Sequence, residues 1–263
     1  MPLPSETDLR EAGLATELAG PVLTITLDKP DRRNSQTPRL WHTLAAIGAA
    51  LPDDVRVVVL RGAGECFSAG IDTRLLAPEG IEGEDSVFEA MQAGDQLVLD
   101  TIDGYQRGFV WLADPRIISV AAVHGYAIGA GFQLALACDL RMVADDVKFC
   151  MKEPALGLVP DLAGTKPLVD LVGYSRALEI CATARYVEAD EAQQLGIATA
   201  VVPRADLDAT TSDLVEAVLA SNAGAVRETK ALLSGAGGRE LEEQRLAERQ
   251  AQLRRFRDLV GGG

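Results

Sequence analysis

The chain has 263 residues, 48% hydrophobic and 24% charged, which is enough for one large domain with a substantial buried core, or one plus a smaller appendage. Its 25 Lys and Arg against 39 Asp and Glu give a net charge of -14, which repels polyanions and argues against nucleic acid as a partner. Met1 to Gly13 lacks the basic start and apolar run of a leader, and no apolar stretch of about 18 residues occurs, so neither secretion nor a membrane span is expected.

After a polar lead-in, Leu14 to Leu18 and Val22 to Leu27 alternate like the arms of a hairpin, with Ala19-Gly20-Pro21 as the turn. Asp28 to Thr37 reads as a polar loop. Pro38 to Leu51 follows as a helix with proline in its first turn, and Val55 to Leu60 as a buried strand ending at Arg61-Gly62-Ala63-Gly64. Val87, Met91, Val98, Ile102, Tyr105, Phe109 and Leu112 recur mostly every three or four residues, which predicts a long amphipathic helix over Ser86 to Leu112. Ile117 to Val123 is a second buried strand. The glycine-rich turn His124 to Gly131 then leads into a helix from about Ala130 to Ala137.

Leu140 to Val143 and Val147 to Met151 read as short strands, and the remainder as mainly helical: Ala163 to Val172, Ser175 to Ala182, Ala189 to Leu195, Leu207 to Ala220, Ala223 to Leu233 and Glu240 to Leu259. Gly235, Gly237 and Gly238 separate the last charged helix from the body, so it is expected to pack on a neighbouring element or a neighbouring subunit. Cys66, Cys138, Cys150 and Cys181 form no Cys-x-x-Cys pair, and neither His42 nor His124 has a second ligand nearby in sequence. No metal is expected, and reduced thiols fit a cytoplasmic setting.

Two segments carry chemistry. Cys66-Phe67-Ser68-Ala69-Gly70-Ile71-Asp72 lies just beyond a buried strand, with small residues where a backbone must approach a ligand closely. His124-Gly125-Tyr126-Ala127-Ile128-Gly129-Ala130-Gly131 also follows a buried strand and opens a helix, whose positive end favours an anion. Together the two turns can offer a pair of N–H donors to one developing oxyanion, worth on the order of 3 kcal/mol per donor in a dry site. A dinucleotide site fits poorly, because neither Gly62-Ala63-Gly64 nor Gly129-x-Gly131 is followed by the third glycine. A serine hydrolase also fits poorly, because Ser68 lacks the Gly-x-Ser-x-Gly frame.

At these residues the chain resembles the crotonase superfamily, the enoyl-CoA hydratase/isomerase family, from about Val22 to the C-terminal helices. The resemblance implies an α/β fold: a spiral of ββα units over residues 1–200, and a helical region over residues 201–263 that builds homotrimers or homohexamers. It implies an acyl-CoA substrate, with coenzyme A present as part of that substrate rather than as a permanent cofactor. The thioester oxygen would be held by the amides matching Ile71 and Ala130, with Arg33, or equally Arg32, in the loop beside the coenzyme. Ser68, Ala69 and Asp72 belong to the same coenzyme-side segment, although Asp72 also reads as bonding amides of its own turn.

The family's hydratases carry two glutamates about twenty residues apart; here the first position is Gln133 and the second is Glu153. Water addition needs one carboxylate to deprotonate water and another to protonate the α carbon, so Gln133 argues against efficient hydration; it reads either as a site amide that fixes Glu153 or the substrate, or as the mark of a site that has lost chemistry. Asp161, eight positions after Glu153, gives the stretch Lys152 to Asp161 a likeness to the dienoyl-CoA isomerases, which pair a glutamate and an aspartate at these positions. The alternative for Asp161 is a cap on the helix beginning near Leu162. The expected activity is therefore a double-bond shift through a thioester enolate. Enoyl-CoA hydration of fatty-acid oxidation and non-catalytic acyl-CoA binding are the alternatives.

Overall fold

Consecutive valines and leucines bury both faces of a strand at once, and that is how the centre of the molecule is built. The computed structural model describes residues 2–85 and 94–261. Its elements are α1 (Glu6–Ala12), β1 (Leu14–Ala19), β2 (Val22–Leu27), α2 (Pro38–Ala49), β3 (Val57–Gly62), α3 (Asp95–Val110), β4 (Ile118–Val123), β5 (Tyr126–Ile128), α4 (Ala130–Ala137), β6 (Leu140–Ala144), β7 (Lys148–Cys150), α5 (Thr165–Val172), α6 (Tyr174–Thr183), β8 (Val187–Glu188), α7 (Ala189–Gln194), β9 (Ala200–Val202), α8 (Leu207–Ala220), α9 (Ala223–Ala236) and α10 (Leu241–Gly261).

Six strands form one sheet in the order β1-β2-β3-β4-β6-β9, and β5, β7 and β8 form a smaller second sheet. The β1–β2 hairpin is antiparallel, and every later pair in the large sheet is parallel. On β3, Val58 and Leu60 join the core that contains α2, Tyr105 and Phe109, while Val57 and Val59 face a second cluster closed by Leu207 and Val215 of α8. The first of the C-terminal helices thus covers the outer face of the sheet.

The lead-in is helical, which the sequence reading missed. Its signal is local: Ser5 accepts from the Asp8 amide while the Asp8 carboxylate accepts from the Ser5 amide, a capping box, and Gly13 closes the helix with φ 72°. Of the helix expected over Ser86 to Leu112, Asp95–Val110 is present as α3, followed by a 3₁₀ turn at Trp111–Ala113; Val87 and Met91 lie outside the described residues. Among the described residues no helix is long and apolar enough to cross a membrane.

α9 is tied to the start of β4 by Lys230. Its buried ammonium donates to the carbonyls of Asp114 and Ile117 and to the Asp139 carboxylate, so all three protons are used. That lysine is structural.

Candidate active site

The two glycine-rich segments meet. Phe67 donates to the His124 carbonyl, Ser68 to the Tyr126 carbonyl and Ile128 back to the Ser68 carbonyl, at 2.8, 2.9 and 3.0 Å, which lays residues 66–70 along β5. Gly70 makes the contact tight: its φ is 86°, and a Cβ there would sit 2.4 Å from the Ile128 oxygen and 3.6 Å from the Ala130 nitrogen. Gln36 bridges residue 71 from the other side, donating to the Gly70 carbonyl and accepting from the Asp72 amide. Because residues 70 and 72 turn toward Gln36, the Ile71 amide turns away from it.

Among the described residues neither the Ile71 amide nor the Ala130 amide donates to a protein oxygen, and both residues line the same cavity of about 420 Å³. Ala130 is the first residue of α4, so its free N–H lies at that helix's positive end. The cavity is mostly apolar, with Leu76, Val98, Ile102, Leu158, Val159 and Leu162 on its walls, and it includes Thr73, Thr101, Glu153, Asp161 and the exposed Lys152.

Glu153 opens a short 3₁₀ turn after β7, with its carboxylate beneath Gly129; a Cβ on Gly129 would lie 3.1 Å from Oε1. Gln133, one turn into α4 and fully buried, donates from Nε2 to Glu153 Oε1 at 2.7 Å. Its own Oε1 accepts from the amides of Leu162 and Gly164 at 2.9 and 3.3 Å. Two amides on Oε1 fix the orientation of the amide group, so the group facing Glu153 is a donor. Glu153 Oε1 is thereby held as an acceptor, while Oε2 is buried with no partner among the described residues.

Burial pushes the Glu153 carboxyl above the ordinary carboxylate range; the Gln133 bond pulls it down, and the charge of Asp161 pushes it up again. Asp161 is likewise raised by burial. Asp161 does not cap a helix, which corrects that expectation. α5 starts at Thr165, three residues later than residue 162, and the amides ahead of it are taken by the Gln133 side chain. Asp161 instead lines the cavity, and its main-chain oxygen accepts from Gln106.

The coenzyme-side expectations divide. Ser68 is fully buried; its hydroxyl donates to the Asn34 carbonyl and accepts from Gln36 Nε2 and the Gly70 amide, so its side chain shapes the loop and cannot contact a coenzyme. Asp72 bonds an amide of its own turn, as its second reading expected. Its carboxylate is held by the Arg74 guanidinium at 2.6 and 2.9 Å and by the Arg74 amide, and it lies well below the usual carboxylate range chiefly because of that guanidinium. Ala69 lines the cavity. Arg33 is exposed, with φ 52° and its carbonyl accepting from the Ala69 amide, whereas Arg32 rims a neighbouring hollow of about 240 Å³ together with Lys29 and Arg74. Sequence reasoning took Tyr105 only as one position in an apolar stripe, and missed that it lines the cavity.

A parallel-sheet α/β protein with two unpaired amides and a raised carboxyl in an apolar cavity is built for chemistry on a carbonyl compound. The family profile described as Enoyl-CoA hydratase/isomerase matches residues 17–258. A Thermobifida fusca YX protein described as a putative enoyl-CoA hydratase, solved in complex with CoA, superposes with a TM-score of 0.94 at 49% identity, over 98% of this chain and 98% of that one. A Mycobacterium bovis protein named a probable enoyl-CoA hydratase is 29% identical over 86% of this chain and 82% of its own length. The peroxisomal Delta(3,5)-Delta(2,4)-dienoyl-CoA isomerase of Arabidopsis thaliana is 33% identical over 68% and 64%. The chain belongs to the enoyl-CoA hydratase/isomerase family and has the crotonase fold.

Proposed function

We propose that this enzyme moves a double bond along the acyl chain of an unsaturated acyl-CoA. The observation that carries the reading is the Gln133 to Glu153 hydrogen bond: where hydration needs a second acid, the site holds an amide whose NH2 donates to Glu153 and which does not titrate. The amides of Ile71 and Ala130 hold the thioester oxygen and stabilise the enolate formed when the C2 proton leaves. Glu153, which lines the cavity, takes that proton. Returning it at C4 needs Glu153 alone, whereas delivery at C6 uses the carboxyl of Asp161, which lines the same cavity.

Coenzyme A enters only as part of the substrate, with Arg33 or Arg32 offering local positive charge against the overall -14. The assembly is a homotrimer or homohexamer, which the exposed Leu246, Leu253 and Phe256 of α10 support. Hydration is the second reading, favoured by the name of the Thermobifida fusca relative. Acyl-CoA binding without chemistry is the third.

Separate incubations with 2-enoyl, 3-enoyl and 3,5-dienoyl thioesters, followed by absorbance and product mass, distinguish these readings. Migration without water addition is the expected result; binding without turnover would remove the catalytic reading. Asp161→Asn is expected to slow 3,5-dienoyl isomerisation by roughly a hundredfold while sparing migration from C2 to C4. Equal loss on both substrates would make Asp161 a structural group.

Gln133→Glu tests the excluded reaction. The new carboxylate would keep the two amides of Leu162 and Gly164 and face Glu153 Oε1 across the present 2.7 Å gap, so the two acids would share a proton and titrate as a pair. Hydration of a 2-enoyl thioester, read as loss of its absorbance, is expected to rise at least about tenfold.

A further inference from the structure

Gln36 is fully buried, and the hydrogen bonds of its side chain can run in one direction only. Trp41 donates from Nε1 to Gln36 Oε1 at 2.8 Å. An indole N–H cannot accept, so the group facing it is the amide oxygen and the group facing Ser68 is the NH2. Gln36 Nε2 donates to Ser68 Oγ at 3.1 Å, and the Ser68 hydroxyl donates in turn to the Asn34 carbonyl at 2.7 Å. The same Oγ accepts from the Gly70 amide at 3.2 Å, so the hydroxyl has its proton and both lone pairs in use. Turning any member round would leave a buried polar group unpaired, which is costly.

This chain of bonds ends where one oxyanion donor is aimed. The Gln36 N–H donates to the Gly70 carbonyl at 2.7 Å, and that oxygen belongs to the same planar peptide as the Ile71 N–H. In a trans peptide the two point opposite ways, so holding the oxygen on Gln36 directs the Ile71 N–H to the other side. Ser68 Oγ grips Gly70 by its own amide. Ser68 also packs on the second glycine-rich segment: a Cβ on Gly131 would lie 2.8 Å from Ser68 Cβ and 3.0 Å from Oγ, in the first turn of α4 beside Ala130. A leucine or methionine at position 36 would fill this interior with no polar group to satisfy, so packing alone does not account for an amide there.

We propose that Gln36 is a positioning residue: through Ser68 and through its own main chain it holds the Gly70–Ile71 peptide in the direction that stabilises the enolate, before a substrate arrives. It touches no reacting atom. The inference rests on the reading of the Ile71 and Ala130 amides as the donors to the thioester oxygen. Such donors are effective because they need not turn when the charge develops, and a Ser68 released from Gln36 would let the peptide move.

Gln36→Met keeps the main-chain bonds and the approximate volume but breaks the link between Trp41 and Ser68. Ser68→Ala breaks the next link. Each is expected to lower kcat for double-bond migration by about tenfold to a hundredfold while changing acyl-CoA affinity less than about threefold. The double variant is expected to lose about as much as the worse single one, because links of one chain are not additive. A second readout needs no turnover. Octanoyl-CoA isotopically labelled at the thioester carbonyl carbon is bound and its infrared stretch recorded; the wild type is expected to draw the stretch below its frequency in water, and either variant to lose most of that drop. A side chain that served the fold alone would lower the unfolding midpoint and leave kcat and the carbonyl frequency of the folded enzyme unchanged.

Wild-type kcat and carbonyl frequency in the variants overturn the proposal and leave the two amides as donors. Fully additive losses overturn it too, since Gln36 and Ser68 would then act separately. Should Gln36→Met fail to fold, Ser68→Ala decides by the carbonyl frequency alone, and an unmoved value there is fatal. A wild-type carbonyl that does not shift on binding removes the two-amide reading and this inference with it. A carbonyl that shifts in the wild type and relaxes in the variants, without isomerisation of any enoyl thioester, sinks the proposed reaction and leaves Gln36 in its role.

Discussion

Glu153→Gln is expected to lower kcat for double-bond migration by about a hundredfold to ten-thousandfold while leaving acyl-CoA binding nearly unchanged. The amide that replaces the carboxyl still accepts from Gln133 Nε2 through its oxygen, so the position of the side chain is kept and only the base is lost. A steady-state assay on a 3-enoyl thioester, paired with a binding titration, reads this directly. Wild-type turnover in the variant would remove Glu153 from the mechanism.

The same substitution carries a stability signature of definite sign. Burial raises the Glu153 carboxyl, so between its unfolded and folded values the native state binds more protons than the unfolded chain. Stability from this group is fully present below the ordinary carboxylate value and is lost as pH rises through the folded one. Asp161, also raised by burial, contributes in the same direction. Denaturant titrations across that window should therefore show wild-type stability falling more steeply with pH than that of Glu153→Gln. Catalysis runs the opposite way, since a base must be ionised to take a proton. The wild-type rate is expected to climb with pH through a value above the ordinary carboxylate range. Parallel pH slopes in the two proteins would mean that Glu153 is not held in the environment described.

The elements that a local pattern defines were legible in the sequence. β3, α4, α8 and the β1–β2 hairpin follow from runs of branched residues, helical spacing and a Gly-Pro turn, and the two loops were visible because small residues cluster just beyond strands. What was not legible depends on long-range pairing. β8 and β9 are two and three residues long and exist only because β7 and β6 offer them an edge. The role of Gln133 was open between a lost acid and a fixing amide, and only the amides of Leu162 and Gly164, some thirty positions away, decide its orientation. Ser68 and Asp72 looked ligand-facing because they flank Gly70. Their partners, Asn34 and Gln36 for one and Arg74 for the other, turn them inward or sideways. Tyr105 sat in an apolar stripe, and no sequence pattern tells a core tyrosine from one at a cavity wall.

Gly70→Ala is expected to cost about a hundredfold to a thousandfold in kcat, the penalty for losing an oxyanion donor, without abolishing coenzyme A binding. A methyl at this position would stand 2.4 Å from the Ile128 oxygen and 3.2 Å from its carbon, both backbone atoms, so no rotamer can yield. Residues 69–72 must then move off β5, and the Ile71 amide shifts relative to Ala130 in the cavity that both residues line. Part of any loss would come simply from placing alanine at φ 86°, about 1 kcal/mol of left-handed strain. Gly80→Ala separates the two effects: Gly80 has φ 58°, and a Cβ there meets nothing within 4 Å, so it carries the strain without the collision. The expected result is a Gly80→Ala enzyme with near wild-type kcat beside a Gly70→Ala enzyme that binds acyl-CoA and barely turns it over. If both variants keep their turnover, the two amides do not stabilise the charge on the thioester oxygen, and the enolate must be held by other groups.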